Sequence, residues 1–156
     1  MGYRRRAREC ALQLLYQYDM THDGAQEILA RYWEMQEPQP QQTRDQAAAY
    51  FQGALQRRDE IDKLIREHSH NWQLERMSVV DRNILRLAIC EMLLGKEAQV
   101  PVIINEALEI SKKFSSDDTS SFINGVLDSI HHALKPADAN PPEPDATGKL
   151  KKRGTQ

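Results

Sequence analysis

Apolar residues recur at helical spacing along most of the chain. From Ala7 to Tyr18 they fall at i, i+3, i+4, i+7, i+8 and i+11, which places them on one face of a helix over about residues 3–20. Similar patterns predict helices over about residues 25–36, 43–68 and 79–95. A further helix starts near Pro101, and a last one is capped by Asp118 or Thr119 after a polar loop. The chain is therefore predicted to be all-α, with six or seven helices.

Three of these helices carry sharper expectations. In the second helix, Met35 is expected to face inward with Trp33. The third is read as one long helix, in which Gly53 permits a close helix crossing. Ser78 is the predicted N-cap of the helix that follows, with Asp81 three residues on. Because apolar residues nearly surround that helix, it is predicted to be central and buried.

Composition divides the chain into two parts. The protein has 156 residues, enough for one ordinary domain, and only 7 glycines and 7 prolines, which favours long helices over many short strands. Beyond Leu134 the sequence becomes rich in alanine, proline and aspartate and then carries a basic run at residues 149–153, three residues before its last residue. We expect a helical domain over residues 1–134 and a disordered polar tail with a basic end over residues 135–156.

Charge is concentrated at the start of the chain. The net charge is −2, but four arginines stand in the sequence Arg4-Arg5-Arg6-Ala7-Arg8. Cations are unfavourable at the positive end of a helix dipole, so helix stability does not account for them. Arginine binds phosphate through a planar fork and can stack on bases. The cluster is therefore either a grip for single-stranded RNA or a solvated terminus.

The sequence contains no clear signal for catalysis, metal binding or membrane insertion. Cys10 and Cys90 form no CxxC pair and are expected to be buried free thiols. Neither His68-x-His70 nor His131-His132 has further Cys, His or carboxylate residues at the spacing that zinc ligands need. The serine pairs have no evident base, and there is no glycine-rich phosphate loop, signal peptide or apolar run of about 20 residues. We expect a cytoplasmic protein without catalysis or cofactor.

Several blocks of sequence resemble the NusB family of bacterial transcription antitermination factors. In family order they are RRRARECALQ (4–13), LY (15–16), VDRNILRLA (80–88) with Glu91, VP (100–101), INEA (104–107), KKF (112–114) and FINGVLD (122–128). The resemblance implies two perpendicular three-helix bundles. It also implies binding of boxA RNA from ribosomal-RNA leaders, pairing with the ribosomal protein NusE, and docking on an RNA polymerase antitermination complex. The alternative is a non-catalytic accessory domain related to RNA cytosine methyltransferases. Self-association as a homodimer is a further expectation.

The resemblance also assigns residues. It places the RNA site at Arg4, Arg5, Arg6, Arg8, Tyr16, Lys112, Lys113, Phe114, Asp118 and Phe122, and the NusE contact at Asp81 and Arg82. Asn105 and Glu106 are interpreted as structural residues that join the bundles by buried hydrogen bonds.

The residues themselves leave other roles open for some of these positions. Tyr16 and Phe122 could equally pack against neighbouring helices. The sequence departs from many relatives at Ser115, where they have glycine, and at Ser121, where they have lysine. Asp117-Asp118 adds negative charge, which weakens RNA binding or directs it. The arginine cluster is therefore expected to carry more of the RNA binding than in typical relatives.

Overall fold

The computed structural model describes residues 2–70, 72–95 and 99–134, and these residues form an all-α structure. The helices are α1 (Tyr3–Thr21), α2 (Ala25–Met35), α3 (Gln41–Gln56), α4 (Arg58–His68), α5 (Val79–Leu94), α6 (Val100–Phe114) and α7 (Asp117–Leu134). A short 3₁₀ helix, Leu74–Arg76, lies between α4 and α5. The predicted tail at residues 135–156 lies outside the described residues.

Helix α5 is the centre of the fold, as its apolar pattern predicted. It contacts α1, α3, α4, α6 and α7. Helices α1, α2 and α3 form one group, because α1 contacts both of the others, while α7 contacts both α4 and α6 in the second group. Helix α5 thus links the two halves of the core.

The predicted long helix over residues 43–68 is wrong, because the chain breaks at Arg57. This residue has φ −107° and ψ 18°, and it separates α3 from α4. The apolar stripe ends at Leu55 and resumes only at Ile61, so a continuous helix would turn polar residues toward the core. The break restores an inward apolar face to each of the two helices.

Two smaller expectations were also wrong. Met35 is 79% exposed at the last residue of α2, where the chain leaves the helix with Gln36 in an extended conformation. The loop predicted between α6 and α7 is shorter than expected, since α7 already begins at Asp117. Asp118 is therefore a first-turn residue, where a carboxylate is favoured by the helix dipole, and not the cap.

Other local predictions were confirmed. The backbone N–H of Asp81 donates to Ser78 Oγ at 3.0 Å, so Ser78 caps α5. A Cβ atom on Gly53 would lie 3.2 Å from Cys90 Sγ, so glycine permits the close approach of α3 to α5. Both cysteines are buried free thiols, and burial raises the pKa of Cys90 to about 11.

Two observations bear on function classes. Among the described residues, none of the helices is both long enough and apolar enough to cross a membrane. The same part of the chain contains no group of three or more His, Cys, Asp or Glu side chains that could hold a metal ion.

Candidate nucleic-acid interface

The four N-terminal arginines lie in the first two turns of α1 rather than in an arm that precedes it. Their exposure falls along the helix. Arg4 is exposed and its guanidinium lies 5.2 Å from the centre of the Tyr3 ring, whereas Arg8 is only 8% exposed. Arg5 and Arg6 are partly exposed. The cluster therefore presents its first three members to solvent and turns the fourth inward.

Carboxylates from α5 and α6 offset the charge that the dipole of α1 disfavours. Arg5 donates to Glu106 through Nε at 2.8 Å and Nη2 at 2.6 Å. The hydrogen bond from Arg5 holds the pKa of Glu106 below its usual range. Arg8 makes the same kind of bidentate contact with Glu91, at 2.8 and 2.7 Å. The structural role predicted for Glu106 is confirmed, but Asn105 is exposed and the buried hydrogen bond predicted for it is wrong.

Glu9 joins the arginine cluster to the end of α6. Its side chain is 8% exposed and accepts from Arg6 Nη1 at 3.2 Å and from Lys113 Nζ at 3.1 Å. Lys113 also lies over the Phe114 ring, with Nζ 5.4 Å from the ring centre. Lys112 is exposed next to them and is 3.7 Å from Glu109. Cations that are about a hundred residues apart in sequence thus form one surface.

Two of the predicted aromatic residues, Tyr16 and Phe114, line a common groove. Tyr16 is 40% exposed, so it lies at the edge of the apolar face of α1 rather than in the core. The groove has a volume of about 400 Å³. Its other lining residues come from α1, α2, α5 and the chain after α2: Leu12, Gln13, Gln17, Tyr32, Gln36 and Val80. An aromatic groove therefore adjoins the basic surface, through Phe114 and Lys113.

Phe122 forms part of a second aromatic feature, which sequence reasoning missed. The ring of Phe122 is partly buried and packs edge-on against Trp72, with centroids 5.8 Å apart. Trp72 is 56% exposed and precedes the 3₁₀ helix, where Ser69 Oγ donates to its carbonyl oxygen at 2.6 Å. The available signal was a large aromatic residue in a polar turn, outside any apolar stripe.

The loop between α6 and α7 is organised by hydroxyl groups. Thr119 Oγ1 lies 3.2 Å from Ser115 Oγ and 3.4 Å from Ser111 Oγ, and it donates to the Ser116 carbonyl at 3.0 Å. Asp118 is exposed next to this cluster. The loop thus holds the start of α7 against the end of α6, where the candidate residues Lys112, Lys113 and Phe114 are found.

The predicted partner residues begin α5. Asp81 is 7% exposed, and its Oδ1 has no hydrogen-bond partner among the described residues. Arg82 donates to Asp19 at 2.9 and 3.1 Å, and Asp19 also accepts from Asn83 and Arg86. Burial alone would raise the pKa of Asp19, but these hydrogen bonds and the two guanidinium charges outweigh it and lower the pKa to about 2. An ionic network that was not predicted therefore fixes Arg82 in place.

Comparison with known proteins decides the family. Residues 5–132 match the family model described as the NusB family. The chain belongs to the NusB family. The transcription antitermination protein NusB of Anaeromyxobacter dehalogenans is 46% identical over 134 residues, which cover 86% of this chain and 94% of that protein. NusB of Myxococcus xanthus is 44% identical, over 86% of this chain and 98% of its own.

Solved structures agree with the assignment to the NusB family. T. maritima NusB is 34% identical, with a TM-score of 0.77 over 86% of this chain and 94% of that chain. A crystal structure of the antitermination factors NusB and NusE in complex with double-stranded RNA contains a chain that is 27% identical, with a TM-score of 0.77. That match covers 86% of this chain and 99% of that one. The predicted NusB-like all-α fold is confirmed.

The family also settles the class of function. Like the members of its family, this chain is a transcription antitermination protein and not an enzyme. The alternative of an accessory domain related to RNA methyltransferases finds no support in these relatives. They are antitermination proteins, and the matches span nearly their whole length.

Proposed function

We propose that this protein binds boxA-type RNA of ribosomal-RNA leaders together with NusE, and that the complex modifies the processivity of RNA polymerase. The observation that carries the proposal is the pairing of Arg6 and Lys113 across the buried Glu9 carboxylate. It puts the arginine cluster and the end of α6 on one surface, which offers several cations to RNA phosphates. The related NusB that was crystallised with NusE and double-stranded RNA lends further support.

The basic residues have different parts in this proposal. Arg4, Arg5, Arg6, Lys112 and Lys113 are the phosphate contacts, because their side chains reach solvent. Arg5 must then share its guanidinium between Glu106 and RNA, and its three remaining donor hydrogens make this feasible. Arg8 acts mainly from beneath, since its guanidinium is held by Glu91. Glu9, Glu91 and Glu106 keep the cations in place before RNA arrives, which reduces the entropy lost on binding.

Three aromatic residues and one acid complete the proposed RNA site. Tyr16, Phe114 and Phe122 offer ring faces or edges to unpaired bases, and such stacking contributes about 1–3 kcal/mol per base. Asp118 lies exposed in the first turn of α7. Its carboxylate repels phosphate and accepts from base amino groups, so it directs the strand along the basic side of the surface.

For NusE we propose a contact at the start of α5, around Asp81 and Arg82. The network of Arg82 with Asp19 gives this region a fixed shape before the partner binds. Binding of RNA and NusE should be mutually reinforcing, and by linkage each must then raise the affinity for the other by the same factor. Because both partners act during transcription of ribosomal RNA in bacteria, we expect the protein to work in the cytoplasm.

The proposal is tested by measuring binding of a boxA oligonucleotide, with and without NusE, at several salt concentrations. We expect a clear salt slope and tighter binding when NusE is present. Arg5→Ala with Arg6→Ala should cause a large loss of affinity, and Lys113→Ala should lower the salt slope by about 0.7–1. Lys63→Ala is the matched control, because Lys63 is an exposed lysine on α4 whose ion pair, among the described residues, is with Glu67 alone.

Two results would contradict this proposal. If the Arg5/Arg6 double variant kept full RNA affinity, the basic surface would not be the RNA site. Equal affinity for boxA and a scrambled oligonucleotide would exclude sequence-specific recognition. Thermal unfolding of each variant shows whether a loss of binding reflects a loss of fold, which is needed because Arg5 also bonds to Glu106.

A further inference from the structure

The groove lined by Tyr16 and Phe114 has the dimensions of a small-molecule site. Its volume of about 400 Å³ falls within the roughly 300–1,000 Å³ of ligand clefts in proteins. Leu12 and Val80 give it apolar surface, and the two aromatic rings give it surfaces on which a planar group can stack. Three glutamines, Gln13, Gln17 and Gln36, are its amide groups. Apolar surface with a few amides suits a nucleobase, which has flat faces and polar edges.

One of these glutamines is oriented by a buried tyrosine. Tyr32 is 2% exposed, and its hydroxyl donates to Gln13 Oε1. Burial raises the pKa of Tyr32 well above its ordinary value, so the phenol stays protonated and remains a donor. Since Tyr32 donates to the Oε1 atom of Gln13, the orientation of the amide group is fixed. Its NH₂ group has no hydrogen-bond partner among the described residues and can donate to a ligand in the groove.

We propose that this groove holds one unstacked base of the bound RNA, and that the Gln13 amide donates to a carbonyl oxygen of that base. The inference rests on the proposed RNA-binding function and adds a residue that determines specificity. Uracil and guanine carry such an oxygen, at O4 and O6, on the edges by which bases are read, whereas adenine has an amino group there. The base at this single position should therefore be uracil or guanine in preference to adenine.

The charges around the groove favour RNA over a protein side chain as its occupant. Lys113 Nζ lies over Phe114, which lines the groove. Arg6 lies near enough to Tyr32 for its charge to act on the phenol. Both cations can take the phosphates on either side of an inserted nucleotide. An apolar side chain of a protein partner would gain nothing from these cations and would bury the glutamine amides without partners.

The first experiment is a position-by-position scan of the RNA against the wild-type protein. Each nucleotide of a boxA oligonucleotide is replaced in turn by an abasic nucleotide and, separately, by adenosine. At one position the abasic change should weaken binding about 5- to 150-fold, as expected for loss of one stacked base. At that position uracil or guanine should bind more tightly than adenine. No such position in the scan would overturn the inference, even if the RNA bound well overall.

The decisive variant is Gln13→Glu. Glutamate keeps an oxygen that can accept from Tyr32 and replaces only the NH₂ donor with a second acceptor. We expect the preference for uracil or guanine over adenine to disappear at the identified position and to be unchanged elsewhere. The result is read as a ratio of affinities, because the added negative charge weakens all RNAs alike. Gln26→Glu, at an exposed position on α2, adds the same charge outside the groove and should leave the ratio unchanged.

The possible failures are distinguishable. If Gln13→Glu retains the wild-type ratio while Arg5→Ala with Arg6→Ala abolishes RNA binding, the inference is wrong and the proposed function stands. If the wild-type protein binds no boxA RNA, both are wrong. If Tyr16→Ala weakens NusE binding in the absence of RNA and leaves the base preference unchanged, the groove is a protein-binding surface and the inference is overturned.

A crosslinking measurement on the unmodified protein avoids any effect of substitution on folding. The RNA carries 4-thiouridine at the position found in the scan, and crosslinked peptides are mapped by mass spectrometry. Crosslinks to Tyr16 or Phe114 would support the inference. Crosslinks confined to Trp72 and Phe122 would place the base elsewhere and overturn it.

Discussion

Arg8 and Glu91 form a bidentate ion pair across the interface of α1 and α5, although 83 residues separate them in sequence. Both side chains are about nine-tenths buried, at 9% and 10% exposure. The Arg8 guanidinium also lies 5.6 Å from the centre of the Tyr50 ring and 3.8 Å from a Glu106 oxygen. The last arginine of the N-terminal cluster is thus part of the interior, while the first three lie at the surface.

The burial of this pair predicts a stability effect for Arg8. Arg8→Ala leaves Glu91 without its bidentate partner, and breaking a buried pair in this way costs about 3–5 kcal/mol in the free energy of unfolding. Replacing both residues by methionine should restore much of the loss, because no charge is then left buried. Urea unfolding of the three proteins measures these differences. An Arg8→Ala variant that is as stable as the wild type would contradict this prediction.

The Asp19 network predicts a dependence of stability on pH. The pKa of Asp19 is about 2 in the folded protein, against an ordinary value of 3.8. Because the pKa is depressed in the folded state, the ionised carboxylate stabilises the fold at pH values above the ordinary pKa. This contribution is lost as the pH falls from about 4 to about 2. Allowing for solvent screening, we expect it to be about 1–2 kcal/mol at neutral pH.

The matched variant for this prediction is Asp19→Asn, which keeps the shape and removes the charge. Urea unfolding at pH 7, 4 and 2.5 gives the stability difference between wild type and variant. That difference should be largest at pH 7 and 4 and should shrink at pH 2.5, where the wild-type carboxyl begins to protonate. Effects of other carboxylates cancel in the comparison. A difference that stays constant across all three pH values would show that ionisation of Asp19 does not contribute to the free energy of unfolding.

The apolar pattern predicted the parts of the fold that depend on local burial. It gave the central position of α5, the cap at Ser78 and the two buried cysteines, because each follows from spacing along one helix. It failed at Arg57, because Ala54 and Ile61 are seven residues apart, which is the spacing of one continuous helix face, so the apolar pattern did not mark the break. Asn105 failed for a different reason. The inward residues of α6 near it are Ile103 and Ala107, and this register turns position 105 outward.

The geometry of the candidate site depended instead on contacts between distant segments. The arginine cluster and the KKF block could be recognised separately in the sequence. Nothing in their spacing indicated that Glu9 would hold Arg6 and Lys113 together, or that Glu106 would bind Arg5. Such pairs depend on how α1 crosses α5 and α6, and tertiary packing fixes that crossing. Trp72 was missed on the same ground, since its neighbour Phe122 lies on another helix.

The exposed Trp72 provides a spectroscopic test of whether RNA reaches Phe122. The protein contains two tryptophans, and Trp33 is partly buried against Tyr32 with the Arg44 guanidinium 5.3 Å from its ring centre. In a Trp33→Phe variant, boxA RNA should quench the fluorescence of Trp72, because a base stacked near Phe122 would contact the exposed ring. The Trp72→Phe variant reports Trp33 and should change much less. Quenching of Trp33 alone would contradict this prediction and indicate that the RNA does not pass α7.

The departure from relatives at Ser121 allows RNA affinity to be raised rather than lowered. Ser121 is exposed one residue before Phe122, and Ser121→Lys introduces the cation that many relatives have there. A single exposed phosphate contact should tighten boxA binding about twofold to fivefold at low salt and steepen the salt slope by about 0.7. The control is Ala133→Lys, which adds the same charge about 18 Å further along α7. Equal gains from both variants would indicate general attraction between the protein and RNA, whereas a gain confined to Ser121→Lys would support an RNA path that passes the start of α7.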